Sequence, residues 1–379
     1  MHPQRPFHAA RRRRTTDRAA PPVDLPPRRG PRLQPVLTPL TEAAIFLVLA
    51  VAPEGEEAVR ALLGDVAALS RSVGFRVPEA ELTCVVGIGA GLFDRLFTGP
   101  RPADLHEFRE IVGSEHTAVS TPGDLLFHLR SRRADASFEL AMHLTARLRG
   151  SATVVDETHG FRYFEQRDLL GFVDGTESPI GVDAIEAATI GDRDPLFAGG
   201  SYVVVQKYVH DLEAWNRLPI AQQEQVIGRT KQSDIELSGN SRRSDSHVAL
   251  TTVLNPDGSQ AQIVRDNMPF GRFASGTPER GEFGTYFIGY SATPATIETM
   301  LARMFLGDAA GNTDRLLDFS TAVTGSLFFV PSLDFLEGLP NPPSGVASAS
   351  TGDVTPLPRD EAPAVGSLGI GALNRSSSR

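Results

Sequence analysis

Three short stretches hold side chains whose types and spacing could carry chemistry. Gly171-Phe-Val-Asp-Gly-Thr-Glu-Ser-Pro179 carries Asp174 just ahead of a glycine. A carboxylate in a tight turn can take and return a proton, although Asp-Gly pairs also build ordinary surface loops. His247 stands in Ser-Asp-Ser-His-Val-Ala-Leu, where a polar loop passes into an apolar run read as a strand. With no second histidine nearby it cannot form a two-histidine zinc pattern, but one imidazole suffices for a single axial bond to a haem iron. A structural or solvated histidine is the plainer use. Eighteen residues later, Val264-Arg-Asp-Asn-Met-Pro-Phe-Gly271 sets Arg265 two positions before Asn267. Arg265 offers a permanent cation and Asn267 a hydrogen-bonding amide; a salt bridge from Arg265 to Asp174 would be the structural alternative.

These groups need a scaffold to bring them together, and the hydrophobic spacing supplies one twice. Residues 43–51 read as a strand, 54–73 as a helix with Val59, Leu62, Leu63, Val66 and Leu69 in register, and 82–88 as a second strand. A strand over 124–130, a helix over 134–148 and a strand over 153–163 complete a β-α-β-β-α-β order. The later residues repeat it: strand 201–209, helix 220–229, strands 247–254 and 285–291, helix 294–306 with Pro294 at its start, and strand 326–330. The fold class is therefore α+β, a duplicated ferredoxin-like fold with antiparallel sheets, and the site is expected where the halves meet.

Composition narrows the function classes. The 379 residues suffice for two to three domains of about 150 residues each, and 41% apolar content excludes global disorder. No apolar run approaches the roughly 18 residues of a membrane span. Residues 41–340 carry 25 basic against 41 acidic side chains, a poor match to nucleic acid. Cys84 is the one cysteine, which rules out an intrachain disulfide, a four-cysteine zinc site and a CxxCH haem attachment, and points to a reducing compartment. Residues 1–39 form a Pro- and Arg-rich arm expected to be disordered; no apolar stretch follows Arg11 to Arg14, so an export signal is disfavoured. Residues 341–379 read as a flexible tail, yet Leu368, Ile370 and Leu373 sit among glycines near its end, the pattern of an extended docking peptide. The body divides into a first half over 40–170 and a second over 171–340.

Taken together, Asp174 before a glycine, His247, and Arg265 with Asn267, in that order on a duplicated ferredoxin-like body, closely resemble the dye-decolourising peroxidases. The likeness runs from about Gln34 to Ser332 and includes Gln34-Pro-Val-Leu, Leu125-Leu-Phe-His-Leu129, Gln206-Lys-Tyr-Val-His-Asp211, Ile227-Gly-Arg-Thr-Lys231 and Tyr286-Phe-Ile-Gly-Tyr290. It is most similar to the bacterial B-type branch, whose nanocompartment-packaged members carry a tail similar to Ser367-Leu-Gly-Ile-Gly-Ala-Leu373. One departure is Ser178, where the family turn commonly has asparagine.

The resemblance implies one haem b per chain with His247 as proximal ligand, and reduction of hydrogen peroxide coupled to oxidation of dye-like, phenolic or other organic donors through a ferryl intermediate. Asp174 is assigned acid/base work, Arg265 stabilisation of the departing oxygen, and Asn267 the orientation of peroxide. Asp308, and after it Asp318, is expected behind His247; Arg229 is expected at the haem propionates and Phe287 in the distal wall. A carboxylate acid/base points to activity at acidic pH. A homo-oligomer is expected in the cytoplasm, inside an encapsulin shell reached through Gly366 to Leu373, with no nucleic-acid or membrane partner. The alternatives are a haem-binding or iron-handling protein with little turnover, and an acidic scaffold without cofactor.

Overall fold

The computed structural model describes residues 30–343 except 176, 275–280 and 309–310, so the Arg-rich arm and the Gly366 to Leu373 peptide lie outside the described residues. The first half follows the expected order: β1 Ala43–Val51, α1 Glu56–Arg76, β2 Thr83–Gly89, β3 Leu125–Ser131, α2 Ala134–Arg147 and β4 Ala152–Phe161. In α1, Glu56 and Glu57 face the positive end of the helix dipole and Arg76 its negative end, while Val59, Leu62, Leu63, Val66 and Val73 form the buried stripe.

The second half contains β5 Ser201–His210, α3 Ile220–Ile227, α4 His247–Thr251, β6 Val264–Arg265, β7 Met268–Phe273, β8 Gly281–Ser291, α5 Pro294–Leu306, β9 Ser320–Ala322 and β10 Ser326–Val330. The strand expected over 247–254 is instead the short helix α4. Val248 and Leu250 are buried and alternate with the half-buried His247, Ala249 and Thr251, which imitates a strand, but Thr251 and Thr252 donate their hydroxyls to the carbonyls of His247 and Val248 and hold the turn helical. The strand that the repeat requires at this point is β7.

These ten strands form one antiparallel sheet, ordered β9-β5-β10-β2-β3-β1-β4-β7-β8-β6, and a further pairing of β5 with β8 closes it on itself, while Ile111–Val112 and Thr117–Ala118 pair apart from it. Each half keeps the ferredoxin-like order of fourth, first, third and second strand: β4-β1-β3-β2 and β10-β5-β8-β7. The halves join where β10 meets β2, through Phe328–Gly89, and where β4 meets β7, through Gly160–Phe270. Alternation along each strand then decides what faces inward. Phe46 and Val48, Leu126, Val203 and Val205, Tyr286, Ile288 and Tyr290 form one core cluster on the inner face. Ile45, Leu47 and Leu49 point outward against Leu62, Leu63 and Leu140 of the helices.

The two halves differ in one respect that creates a site. In the first, α1 lies on the outer face of the sheet and its stripe fills the space. In the second, the end of α3 packs into a separate cluster of Val226, Ile227, Leu170, Phe172 and Trp215, and the space over β5 and β8 stays open.

Candidate functional site

The open space is a cavity lined on the sheet side by Tyr208, His210, Arg265, Asn267, Thr285 and Phe287, and on the helix side by His247, Val248, Ile297, Met300, Leu301 and Met304. Its empty volume reaches about 1210 Å³ counted out to the mouth. Every lining residue lies at position 168 or beyond, so the site belongs to the second half, with Asp174 arriving from the segment that connects the two.

That segment is a small hairpin. The Asp174 amide donates to the Gln166 carbonyl (2.9 Å) and the Asp168 amide to the Phe172 carbonyl (2.8 Å). The Arg167 guanidinium ties the loop down by donating to the carbonyls of Gly171 (2.9 Å) and Lys231 (2.7 Å), and the Trp215 indole donates to that of Leu170 (2.9 Å). Gly171 has φ +92°, and a Cβ there would stand 2.5 Å from Lys231 Cε, so this position admits glycine alone without strain. The turn thus holds the Asp174 carboxylate still. Its Oδ2 accepts from Asn267 Nδ2 at 3.0 Å, and Asn267 Oδ1 accepts from the Ile288 amide at 3.2 Å, which fixes the asparagine's orientation.

Arg265 and Asn267 share the cavity face because they are two apart on an extended segment; Asp266, between them, points to the opposite face and forms a buried ion pair with Arg130 of β3. Arg130 also donates to the carbonyls of Thr38 (3.0 Å) and Pro35. The first half therefore grips the Arg265–Asn267 segment from behind. Among the described residues the Arg265 guanidinium has no ion-pair partner, so the salt bridge to Asp174 is not formed. Ser178 hydrogen-bonds the Arg265 backbone amide at 3.3 Å, and thereby links the turn to the strand despite replacing asparagine.

His247 Nδ1 lies 2.7 Å from Asp314 Oδ2, and Asp314 is wholly buried. This corrects the expectation for Asp308. Helix α5 ends at Leu306, Gly307 turns the chain at φ +87°, and the Asp308 carboxylate accepts from the Asn312 amide at 3.1 Å. Asp318, the second choice, pairs instead with His116 at 3.2 Å in an exposed cluster that also holds Glu115. With Nδ1 engaged, Nε2 of His247 is the nitrogen left for a ligand bond. His210 also lines the cavity, but Ser320 and Thr285 hydroxyls engage both its nitrogens (2.8 and 3.0 Å), and burial pushes its pKa down to about 4.

Phe287 contributes to the cavity wall. Arg229 reaches the cavity too, but its donors go to Asp234, at 2.7 Å from Nε, and to Glu177. One lining residue was not anticipated: Asp168, whose carboxylate accepts from the Phe172 amide at 2.9 Å. Burial, reinforced by the Asp174 charge, pushes its pKa up to about 7. Its signal in the sequence was only an aspartate six residues before another.

On the far side of the Asp174–Asn267 pair lies a narrow cleft bounded by Leu40, Phe161, Tyr163 and Gln166. The cleft is the smaller space, about 310 Å³ counted out to its mouth against about 1210 Å³ for the cavity. The cavity suits a large, mostly apolar group carrying a metal with a single axial nitrogen from the protein: one backed imidazole, aliphatic and aromatic walls, and an acid, an amide and a cation within the same space.

Comparison with known proteins agrees with this geometry. A family model described as Dyp-type peroxidase, N-terminal, matches residues 33–162, and one described as Dyp-type peroxidase, C-terminal, matches residues 165–335. A dye-decolorizing peroxidase of Rhodococcus erythropolis is 55% identical over 344 residues, covering 91% of this chain and 97% of that protein. The encapsulated DyP-type peroxidase of Mycobacterium smegmatis is 55% identical in a solved structure, with a TM-score of 0.80 over 83% of this chain and 100% of that one. A DypB variant of Rhodococcus jostii in complex with heme is 51% identical, with a TM-score of 0.78 over 81% of this chain and 98% of that one.

Proposed function

The chain belongs to the Dyp-type peroxidase family, and we propose that it reduces hydrogen peroxide at a haem b held by His247 while oxidising dye-like, phenolic or other organic donors. The observation that carries this reading is the meeting, in one cavity, of a backed imidazole with a free cation and a hydrogen-bonded carboxylate. When bound, the haem supplies an iron that exchanges electrons with peroxide. The chain's own residues do the rest. Asp314 accepts the Nδ1 proton of His247, fixes the tautomer and raises the basicity of Nε2. Asp174 takes a proton from the inner peroxide oxygen and returns it to the outer one. Asn267 keeps that carboxylate oriented. Arg265, which has no ion-pair partner among the described residues, stabilises the negative charge that develops on the departing oxygen. Phe287 and the aliphatic wall keep bulk water away, while Arg229 holds Glu177 and Asp234 at the rim.

Absorption spectra of the purified protein before and after peroxide test the reading. A haem spectrum that responds supports it; one that never responds would indicate a haem-binding or iron-handling protein. A colourless chain after haem supplementation would indicate no cofactor at all. The encapsulated relative supports packaging in an encapsulin shell, and the same reading assigns the docking to Gly366 to Leu373 and expects a homo-oligomer in the cytoplasm. Deleting residues 366–379 is expected to abolish loading into a co-expressed shell, and equal loading of both forms would refute that role.

A further inference from the structure

Peroxide that reaches Asp174 and Asn267 also meets a thioether. Met268 follows Asn267 directly, begins β7, and lines the narrow cleft that Asp174 and Asn267 border. The other described methionines lie elsewhere. Met142 is 48% exposed on α2, whereas Met300 and Met304 line the cavity from α5, on the helix side with His247. Met268 is therefore the thioether placed beside the acid and the amide, although it is only 3% exposed.

Its sulfur is closely packed on the side away from the cleft. Gly160 of β4 makes room for it: a Cβ at that position would stand 2.7 Å from Met268 Cβ and 3.1 Å from Sδ. The ladder sets Met268 opposite Tyr286, and both belong with Phe46 to the inner core cluster. A close-packed interior does not admit a further atom without displacement, so the cleft is the direction in which the sulfur can take one.

We propose that Met268 is a modification site: excess peroxide converts its thioether to the sulfoxide, and the added oxygen narrows the cleft and slows further reaction with peroxide. The assignment rests on the peroxidase reading above. A sulfur lone pair attacks one peroxide oxygen, so that an S–O bond forms as the O–O bond breaks. The proton of the attacked oxygen passes through Asp174 to the departing hydroxide, which leaves as water: R–S–CH3 + H2O2 → R–S(O)–CH3 + H2O. Sulfur loses two electrons and peroxide gains them, with no further reactant. Exposure ordinarily decides which side chain is oxidised, which would favour Met142. The Asp174–Asn267 pair reverses that order by holding peroxide, and moving its proton, beside the buried sulfur.

The test treats the full-length holoenzyme with increasing peroxide in the absence of an organic donor and reads every methionine by peptide mass spectrometry. Sulfoxide is expected at Met268 before Met142. The rate of the peroxide-dependent spectral change, taken per intact haem in stopped flow, should fall about tenfold as that sulfoxide accumulates. Met268→Leu, close in volume and without a sulfur, should keep its rate through the same treatment. Oxidation of Met142 first, a Met268 sulfoxide at an unchanged rate, or equal slowing in Met268→Leu would overturn the proposal. The order of oxidation and its parallel with the rate are read on the wild type, so they decide the question even where the leucine disturbs the core. The haem spectrum separates the two failures: no response to peroxide defeats the peroxidase reading, whereas a normal response with Met268 still a thioether after the rate has fallen defeats this inference alone.

Discussion

His247 shows how far single residues could be assigned from sequence. Its own position was visible at a loop-to-apolar boundary, but Asp314 was not, because the contact spans 67 positions and depends on where α5 ends. Asp314→Ala should weaken haem retention by about 10–100-fold, measured by transfer to a haem-free acceptor protein. Retention equal to wild type would mean that Nδ1 needs no acceptor. Asp174→Asn and Arg265→Leu should each slow the peroxide-dependent spectral change by about 10²–10³-fold in stopped flow, and wild-type rates in both would reject their roles. Asp168 gives a prediction with a definite sign. Its folded pKa, about 7, lies above the ordinary aspartate value of 3.8, so the fold favours the protonated form. That contribution is complete below the unfolded pKa and is lost as pH rises toward 7. Asp168→Asn keeps the acceptor for the Phe172 amide and cannot ionise, so its Tm relative to wild type should climb between pH 4 and pH 8. Parallel Tm curves for the two proteins would exclude this ionisation.

At the level of elements, the Asp174 turn depends on Gly171, where any side chain would be strained. Gly171→Ala meets both a left-handed φ and the Lys231 side chain; it should cost about 1–3 kcal/mol of stability and displace Asp174, read as a lower denaturation midpoint together with a slower reaction with peroxide. The strands and long helices were legible because alternating and helical spacing are local signals. Helix α4 was not: five residues with two buried apolar side chains fit either period, and the threonine hydroxyls that decide the matter act through the backbone. The Asp174 turn could be recognised as a turn, yet its rigidity comes from Arg167 and Trp215, whose partners lie on different parts of the loop network.

For the whole molecule, the duplication was legible and the closure of the sheet was not, since pairing between halves leaves no periodicity of its own. The Arg130–Asp266 pair is the clearest link across that junction. Removing one partner strands a buried charge, so Arg130→Met should cost about 3–5 kcal/mol, and Arg130→Met with Asp266→Leu should recover much of it. Chemical denaturation of the two variants would show this, and a double variant no more stable than the single would contradict it. If the pair also fixes the register of Arg265 and Asn267, the double variant should remain slow with peroxide despite its regained stability. A sheet that returns to its starting strand has further implications for how the chain can be divided. The outer edge of each half's outermost strands is paired only by the other half, so separating the halves at the connector would leave two fragments with raw amide borders. Such fragments should aggregate when made singly and complement each other when made together.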